Sequence, residues 1–161
     1  MNIIKTKEDI QISILSEDDA EELFLLIYRN REHLSQFGEG TAKKYPDVES
    51  VKQSIRACPL EMVRFVIKNN GAIVGFIRIT QKNIRLAEIG YYLGKEFTGK
   101  GYTKIAVTQI EEYAKNTLEI KEIYGVVKKD NIASIKVLRS CGFNKEVSCK
   151  NEIALYKEIG N

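Results

Sequence analysis

A glycine-rich segment at residues 90–103 has the residue types that bind phosphate groups. It reads Gly-Tyr-Tyr-Leu-Gly-Lys-Glu-Phe-Thr-Gly-Lys-Gly-Tyr-Thr, a short loop between an apolar strand and a helix. A helix N-terminus presents unpaired N–H groups and a positive dipole end, which favour anions. Gly99 and Gly101 permit close backbone approach and positive φ, while Lys100 and Thr103 add a charge and a hydroxyl. The segment predicts a phosphate-binding turn; the alternative is a helix that simply starts after a tight turn.

The segment matches neither of two common nucleotide-binding motifs. A P-loop needs Ser or Thr after its lysine, whereas Gly101 follows Lys100. A dinucleotide fingerprint needs a third glycine where Lys104 stands, and a βαβ unit where the preceding strands read as a meander. Another phosphate ligand is therefore expected.

A second segment, about 30 residues further on, carries a more specific pattern. It has the form Asn-x-x-Ser-x-x-x-Leu-x-x-x-Gly-Phe and begins at Asn131. Together with Glu-Phe-Thr-Gly-Lys-Gly-Tyr, and with Ala-Glu-Ile-Gly-Tyr at 87–91, it resembles the GNAT acetyltransferases. Within them the chain looks like the RimL/RimJ branch, which acetylates protein N-terminal amines. The resemblance extends from Ile10 to Lys157.

The resemblance implies an acetyl-CoA site without metal. The turn would hold the pyrophosphate on backbone amides, and the strand before it would pair with the pantetheine arm. A bulge in that strand would free an amide to polarise the thioester carbonyl. Asn131 would hydrogen-bond the coenzyme arm, besides capping its helix. The residues assigned to the coenzyme are Tyr91, Tyr92, Leu93, Gly99, Lys100, Gly101, Tyr102, Thr103 and Asn131.

The implied reaction is direct attack of a neutral amine on the thioester. An α-amine has a pKa of about 7.7–8.0 and a lysine or polyamine amine about 10.4, so a base helps without having to be strong. Glu88 is the candidate base, directly or through water, and a solvated strand charge is the alternative. Ser134 is the candidate proton donor to the thiolate, because Leu138 stands where the wider superfamily often has tyrosine. Its alternative role is a local helix hydrogen bond.

The acceptor site is expected near the end of the first helix, a region that shapes it in the family. Arg29 and His33 are the candidates, with a helix-end cation as the alternative role of His33. Tyr91 and Tyr92 alternate across a strand, so at most one is expected to face the cleft. Glu96 departs from the family pattern, which begins with Gln or Arg, and a carboxylate is unfavourable near a pyrophosphate.

Periodicity and turn chemistry predict the elements that position these residues. Ile10, Ile12 and Ile14 are expected on one face of the first strand, and Ser16 opens a helix whose apolar face continues to Leu34. The predicted elements are a strand at 10–15, a helix after 16, a loop at 36–46, a helix at 47–57, strands at 62–68, 72–80 and 85–93, a helix from 101 to about 116, a strand at 122–127, a helix at 131–142 and a closing hairpin. This β-α-α-β-β-β-α-β-α-β-β order predicts an α/β (α+β) fold with a mixed, largely antiparallel sheet flanked by helices, the GNAT fold.

Composition limits the function classes. The 161 residues suit one domain, 1–161, and a net charge of +3 is too mild to indicate nucleic acid. Three widely spaced cysteines and a single histidine argue against disulfides and against a metal site. The N-terminal segment has no signal-like apolar run and no stretch suits a membrane span, so a cytoplasmic monomer or homodimer is expected.

The sequence thus predicts an acetyl-CoA-dependent N-acetyltransferase. A protein N-terminal amine is the favoured acceptor, on the resemblance alone. A polyamine, an aminoglycoside or another small amine is the alternative acceptor. A non-catalytic acyl-CoA-binding regulatory module is the alternative from another class.

Overall fold

A computed structural model describes residues 3–5, 9–37 and 40–160. Its strands are β1 (Ile3–Lys5), β2 (Ile10–Ile14), β3 (Met62–Asn69), β4 (Ala72–Gln81), β5 (Leu86–Leu93), β6 (Glu122–Lys128), β7 (Lys145–Cys149) and β8 (Glu152–Glu158). Its helices are α1 (Ala20–Arg29), α2 (Arg31–Leu34), α3 (Thr41–Lys44), α4 (Val48–Arg56), α5 (Tyr102–Asn116) and α6 (Ile132–Ser140). Short 3-10 turns precede α1, at Glu17–Asp19, and α5, at Lys95–Phe97.

The strands form one sheet in the order β1-β2-β3-β4-β5-β6-β8-β7. Neighbouring strands are antiparallel except β5 and β6, which are parallel because α5 carries the chain back between them. The predicted mixed, largely antiparallel sheet flanked by helices is therefore confirmed. The predicted hairpin at Asn69-Asn70-Gly71 joins β3 to β4, with positive φ at Asn70 and Gly71.

Both faces of the sheet are covered, which gives two cores. The first core lies between the sheet and the helices α5 and α6, and includes Phe65, Ile79, Ile89, Ile110 and Leu138. The second core lies on the opposite face beneath α1 and α4, and includes Leu23, Leu26, Ile27, Val51 and Val66. The spacing of the apolar residues in α1 puts one stripe of that helix against the sheet.

Helices cover both faces of the sheet, and this explains why the burial of residues in β2 differs from the prediction. Ile10 and Ile12 are buried as expected, but Ile14 is exposed and Ser13 is buried. Leu15 is on the same side as Ser13 and packs into the second core. Alternation of apolar and polar residues cannot show that the second face of the sheet is also covered, so it does not predict the burial of Ser13.

The predicted first helix ends early, at Asn30. This end of the helix is hydrogen-bonded to the loop at residues 94–101, called the glycine turn below. The Asn30 side chain donates to the carbonyl of Leu26 at 2.8 Å and accepts from the backbone N–H of Lys95 at 2.8 Å. The chain then forms the separate short helix α2. Helical periodicity does not predict this helix end, because the Asn30 side chain bonds to a segment 65 residues away in the sequence.

The predicted loop at 36–46 contains one short helix, α3, and its residues 38 and 39 lie outside the described ones. The strand β1 was also not predicted, because three residues are too few to show alternation. The other predicted elements agree with the structure to within a few residues at each end.

Candidate active site

A deep cleft opens where β5 and β6 separate. These strands pair only from Leu86↔Glu122 to Ile89↔Gly125, although β5 runs on to Leu93 and β6 to Lys128. β5 continues along β4 and β6 along β8, so the two halves of the sheet diverge. The resulting cavity has a volume of about 810 Å³ and is walled by β5, β6, the glycine turn and the start of α6.

The glycine turn has the backbone that its residues predict. Gly99 has φ +74° and Gly101 has φ +83°, and Gly101 is the N-cap residue of α5. A Cβ at either glycine would meet open space, so the positive φ, and not crowding within the chain, is what requires glycine. Tyr102 and Thr103 follow in the first turn of α5 and line the cleft with both glycines. Lys100 is exposed and is not part of the lining.

Glu96 lies away from the cleft. It is exposed in the 3-10 turn before the glycines and does not line the cavity. The Glu96 carboxylate, which would be unfavourable beside a pyrophosphate, therefore faces solvent.

The expected bulge in β5 is absent, and the strand offers its backbone in another way. β4 and β5 pair without a register shift from Gly75↔Leu93 to Gln81↔Ala87; the irregularity falls in the β3–β4 pair, at Ile67/Lys68. The Gly94 N–H donates to Val74 at 3.0 Å on the β4 side. Because successive residues direct their backbone groups to opposite strand edges, those of Tyr91 and Leu93 point into the gap.

Both tyrosines of β5 line the cleft, so the expectation that at most one would do so is wrong. Their side chains do lie on opposite faces: the Tyr92 ring stacks on Phe76 at 4.9 Å, and the Tyr91 hydroxyl lies 2.7 Å from Ser134 Oγ on α6. Because the sheet is split here, the cleft passes through it and reaches both faces. Burial raises the pKa of Tyr91 to about 12, so its hydroxyl stays protonated.

The start of α6 brings its two candidate residues together. Asn131 caps the helix, since its Oδ1 accepts from the backbone N–H of Ser134 at 3.2 Å. Both residues line the cleft. The cap therefore fixes the helix turn that carries the Ser134 hydroxyl towards the gap.

Leu138 belongs to the core and offers only an apolar side chain to the lining of the cleft. It is completely buried, and a Cβ on Gly125 would lie only 3.2 Å from its Cδ1. Gly125 thus lets α6 pack closely on β6, and this leaves no room for a larger ring at position 138. A hydroxyl at this end of the cleft comes instead from Ser134 and Tyr91.

We expect Leu138→Tyr to destabilise the protein by about 1–3 kcal/mol, because the core must expand around the added ring. Thermal unfolding measures this. The matched control is Val126→Tyr on the same strand as Gly125, where the side chain is already exposed, and it should change stability little. An equal loss from both substitutions would contradict tight packing between α6 and β6.

Glu88 lies on the face of β5 opposite to Tyr91. Its side chain is 19% exposed and its Oε1 lies 3.4 Å from Lys82 Nζ and 4.0 Å from Arg78 Nη1. The carboxylate lines the cleft just before the strands part. The arrangement places a carboxylate on one face of the gap and a hydroxyl pair on the other.

The two acceptor candidates are placed differently. His33 lines the cleft, and burial, followed by the charge of Lys95, lowers its pKa, although a hydrogen bond to the Leu93 backbone opposes this. Its imidazole is therefore neutral at pH 7. Arg29 is exposed and does not line the cavity, so its assignment to the acceptor site stays a prediction that the cavity lining does not support. It lies on the outer face of α1, and helical spacing puts the buried stripe elsewhere.

Arg78 and Lys128 also line the cleft. Lys128 pairs with Glu152 across the β6–β8 ladder at 3.6 Å. The Lys128-Lys129 pair was visible in the sequence, but Arg78 stands in an ordinary strand pattern with no local signal. Only the pairing of β4 with β5 reveals its position.

Two kinds of feature are absent from the described residues. No group of three or more His, Cys, Asp or Glu side chains in this part of the chain is placed to hold a metal ion. None of its helices combines the length and the apolar character needed to cross a membrane.

Among curated proteins, the similarity is to bacterial N-acetyltransferases. The "Putative ribosomal N-acetyltransferase YdaF" of Bacillus subtilis is 31% identical over 88% of this chain and 81% of that protein. The "Uncharacterized N-acetyltransferase p20" of Bacillus licheniformis is 38% identical over 50% of this chain, and the match spans only 47% of that protein. Spermidine N(1)-acetyltransferase of Escherichia coli is 27% identical over 61% of this chain and 54% of that protein.

Among solved structures, RimL, the ribosomal L7/L12 α-N-protein acetyltransferase, was crystallised in complex with coenzyme A. It superposes with a TM-score of 0.87 over 98% of both chains, at 18% identity, which shows a shared fold. The family model described as "Acetyltransferase (GNAT) domain" matches residues 10–144. The chain belongs to the GNAT acetyltransferases and is an N-acetyltransferase.

Proposed function

We propose that this enzyme transfers the acetyl group of acetyl-CoA to the N-terminal amine of a protein or peptide. The observation that carries the proposal is the split between β5 and β6. A glycine turn stands at one end of the split, a carboxylate on one face and a hydroxyl pair on the other. The names of RimL and YdaF support a protein acceptor.

The chain holds acetyl-CoA mainly with its backbone in this proposal. The N–H groups from Gly99 to Thr103 bind the pyrophosphate at the start of α5, where the helix dipole favours negative charge. The backbone of Tyr91 and Leu93 pairs with the pantetheine arm along the open edge of β5. A strand N–H at this edge polarises the thioester carbonyl, and a preorganised donor of this kind is worth ~3–4 kcal/mol in acyl transfer.

Glu88 is the base in this proposal. It accepts a proton from the attacking amine, directly or through a water, on the face of β5 that leads to α1 and α4. A modest base suffices because an α-amine has a pKa of about 7.7–8.0. The amine nitrogen forms the new bond to the acetyl carbon, and the bond from that carbon to sulfur breaks.

The Ser134–Tyr91 pair receives the departing thiolate. When the Tyr91 hydroxyl donates to Ser134 Oγ, the Ser134 hydroxyl is free to donate its proton to the sulfur, and a water then returns a proton to Ser134 Oγ. Burial raises the pKa of Tyr91, so the tyrosine hydroxyl keeps the proton that it donates to Ser134 Oγ in this orientation. Base and proton donor thus lie on opposite faces, which suits an amine that arrives on one side and a thiol that leaves on the other.

We expect Ser134→Ala to lower kcat about tenfold with little change in the Kd for acetyl-CoA, because water can still protonate the thiolate. Rates under acetyl-CoA saturation measure this. Ser140→Ala is the matched control, since Ser140 is an exposed residue at the other end of α6 whose hydroxyl donates to the Val137 carbonyl at 2.7 Å. Unchanged kcat in Ser134→Ala would remove Ser134 from the mechanism.

A test of the acceptor uses acetyl-CoA with a panel of amines and mass spectrometry of the products. The panel contains peptides with a free N-terminus, the same peptides with a blocked N-terminus and an internal lysine, spermidine and an aminoglycoside. We expect acetylation at free N-termini only. Turnover of spermidine alone would instead support the polyamine alternative, for which the spermidine acetyltransferase is the relevant relative.

A non-catalytic acyl-CoA-binding module is the second alternative. It predicts that acetyl-CoA stabilises the wild type while no amine of the panel is acetylated. The proposal predicts both stabilisation and turnover, so the same panel separates the two.

A further inference from the structure

A second, smaller cavity lies beside the main cleft, between the sheet and the helices α3 and α4. Its volume is about 170 Å³, comparable to cavities that hold a benzene-sized ligand. Arg78 and Tyr92 line both cavities and so form their common wall. The two cavities are therefore adjacent, and a group attached to an amine in the main cleft would enter the smaller cavity by passing Arg78 and Tyr92.

The polar lining of this cavity is cationic. Arg64, Arg78 and Lys44 line it, together with apolar side chains such as Val51 and Phe76. No Asp or Glu of the described residues is part of the lining. The nearby carboxylate of Glu88 is shared between Arg78 and a lysine, so the cavity keeps an excess of positive charge.

Hydrogen bonds to Ser54 hold the Arg64 guanidinium in position and use only some of its N–H donors. Its Nη1 donates to Ser54 Oγ at 2.8 Å, its Nη2 donates to the Ser54 carbonyl, and Ser54 Oγ also lies 3.0 Å from the Tyr45 hydroxyl. These bonds pair two of the five guanidinium N–H donors with groups in the described part of the chain. A fixed arginine of this kind suits planar, bidentate recognition of a carboxylate.

The sheet register sets the distance between this charge and the reaction. Arg64 pairs with Arg78 on the neighbouring strand, and Arg78 pairs with Gly90 on β5, where the gap opens. The Arg78 guanidinium lies over Gly90 itself, since a Cβ on Gly90 would lie 2.8 Å from its Cζ. The backbone of Arg64 is two strands from Gly90, roughly 10 Å away at about 4.8 Å per strand. In an extended peptide this distance corresponds to the first three residues.

We infer that the cavity of Arg64 and Arg78 selects an amine acceptor that bears a carboxylate, in a protein an Asp or Glu within its first three residues. This inference deepens the proposed function and depends on it, since it names the acceptor class of the same site. It also disfavours polyamines, which carry several positive charges and need carboxylates to bind them.

The test compares peptides that differ only at positions two and three, carrying Asp and Glu, Asn and Gln, or two lysines. We expect kcat/KM for the acidic peptide to exceed that for the amide peptide about tenfold, as a charge-assisted hydrogen bond provides, with the lysine peptide lowest. Equal values for the acidic and amide peptides would overturn the inference.

Arg64→Gln is the decisive variant, because glutamine removes the charge but can still donate to Ser54. We expect the acidic-to-amide ratio to fall to about 1–2. Arg56→Gln is the matched control on α4, since Arg56 is exposed and pairs with Glu17 and Glu49 outside the cavity. An unchanged ratio of kcat/KM between the acidic and the amide peptide in Arg64→Gln would contradict the inference.

Two further measurements keep the test decisive. If Arg64→Gln does not fold, the acidic preference of the wild type must fall as salt rises from low to physiological concentration, and a salt-independent preference counts against a charged site.

Glutamate, glutamine and spermidine separate this inference from the protein-acceptor proposal. Glutamate acetylated faster than glutamine, with no peptide acetylated, would refute only the protein acceptor. Spermidine faster than every carboxylate-bearing acceptor, or no turnover of any acceptor, would refute the inference.

Discussion

Replacing Glu88 with Gln is expected to lower kcat by about 10²–10³-fold at pH 7 while leaving the Kd for acetyl-CoA within about twofold of the wild type. Glutamine has nearly the same shape, so it keeps the packing on β5 and loses the ability to accept a proton. The carboxylate is on the face of the sheet opposite to the hydroxyl pair and away from the glycine turn, which is why coenzyme binding should not change.

The pH dependence of the Glu88→Gln variant distinguishes a base from a structural charge. A variant without its base must wait for the amine to deprotonate in water, so part of the lost rate should return as pH rises through about 8. Glu146→Gln is the control, since this carboxylate is exposed on β7 and pairs with Arg139 at 2.5 Å, away from the cleft. Wild-type kcat in Glu88→Gln would exclude Glu88 as the base.

Replacing Gly101 with Ala is expected to raise the Kd for acetyl-CoA about 10–100-fold. The methyl group meets no atom of the chain, but it stands on the surface that the pyrophosphate must approach. Positive φ also strains alanine by about 1–2 kcal/mol, so the turn relaxes and its N–H groups lose their alignment. Several charge-assisted hydrogen bonds weaken together, which accounts for the size of the effect.

Gly71→Ala is a closely matched control for Gly101→Ala. Gly71 has the same φ of +83° and equally open surroundings, but it lies in the β3–β4 hairpin. Both variants should therefore lose similar stability, and only Gly101→Ala should lose affinity for acetyl-CoA. Isothermal titration of each variant decides this, and equal affinities would contradict pyrophosphate binding at the turn.

Features set by local chemistry were predictable from the sequence. Gly99 and Gly101 adopt the positive φ expected of them, α5 begins directly after Gly101, and Asn131 caps α6. In each case one residue type is strongly favoured by the backbone of its own turn, so neighbouring residues suffice. The order of strands and helices followed from periodicity for the same reason.

Features that join distant segments were not predictable. Tyr91 and Ser134 are 43 positions apart, and only the register of β5 and the packing of α6 bring their hydroxyls together. Arg64 and Arg78 share a cavity through strand pairing, which their separate strand patterns do not reveal. Arg29 was assigned because the end of the first helix shapes the acceptor site in the family, and helical periodicity does not reveal the break at Asn30 that separates α1 from α2.

The most direct test of an acetyl-CoA site in this cleft is thermal unfolding of the wild type with and without acetyl-CoA, with NADH and ATP as controls. At 100 times its Kd a ligand adds ~2.7 kcal/mol, which raises Tm by about 5–10 °C for a chain of this size. We expect this rise with acetyl-CoA alone. No rise, or the same rise with NADH and ATP, would contradict an acetyl-CoA site between β5 and β6.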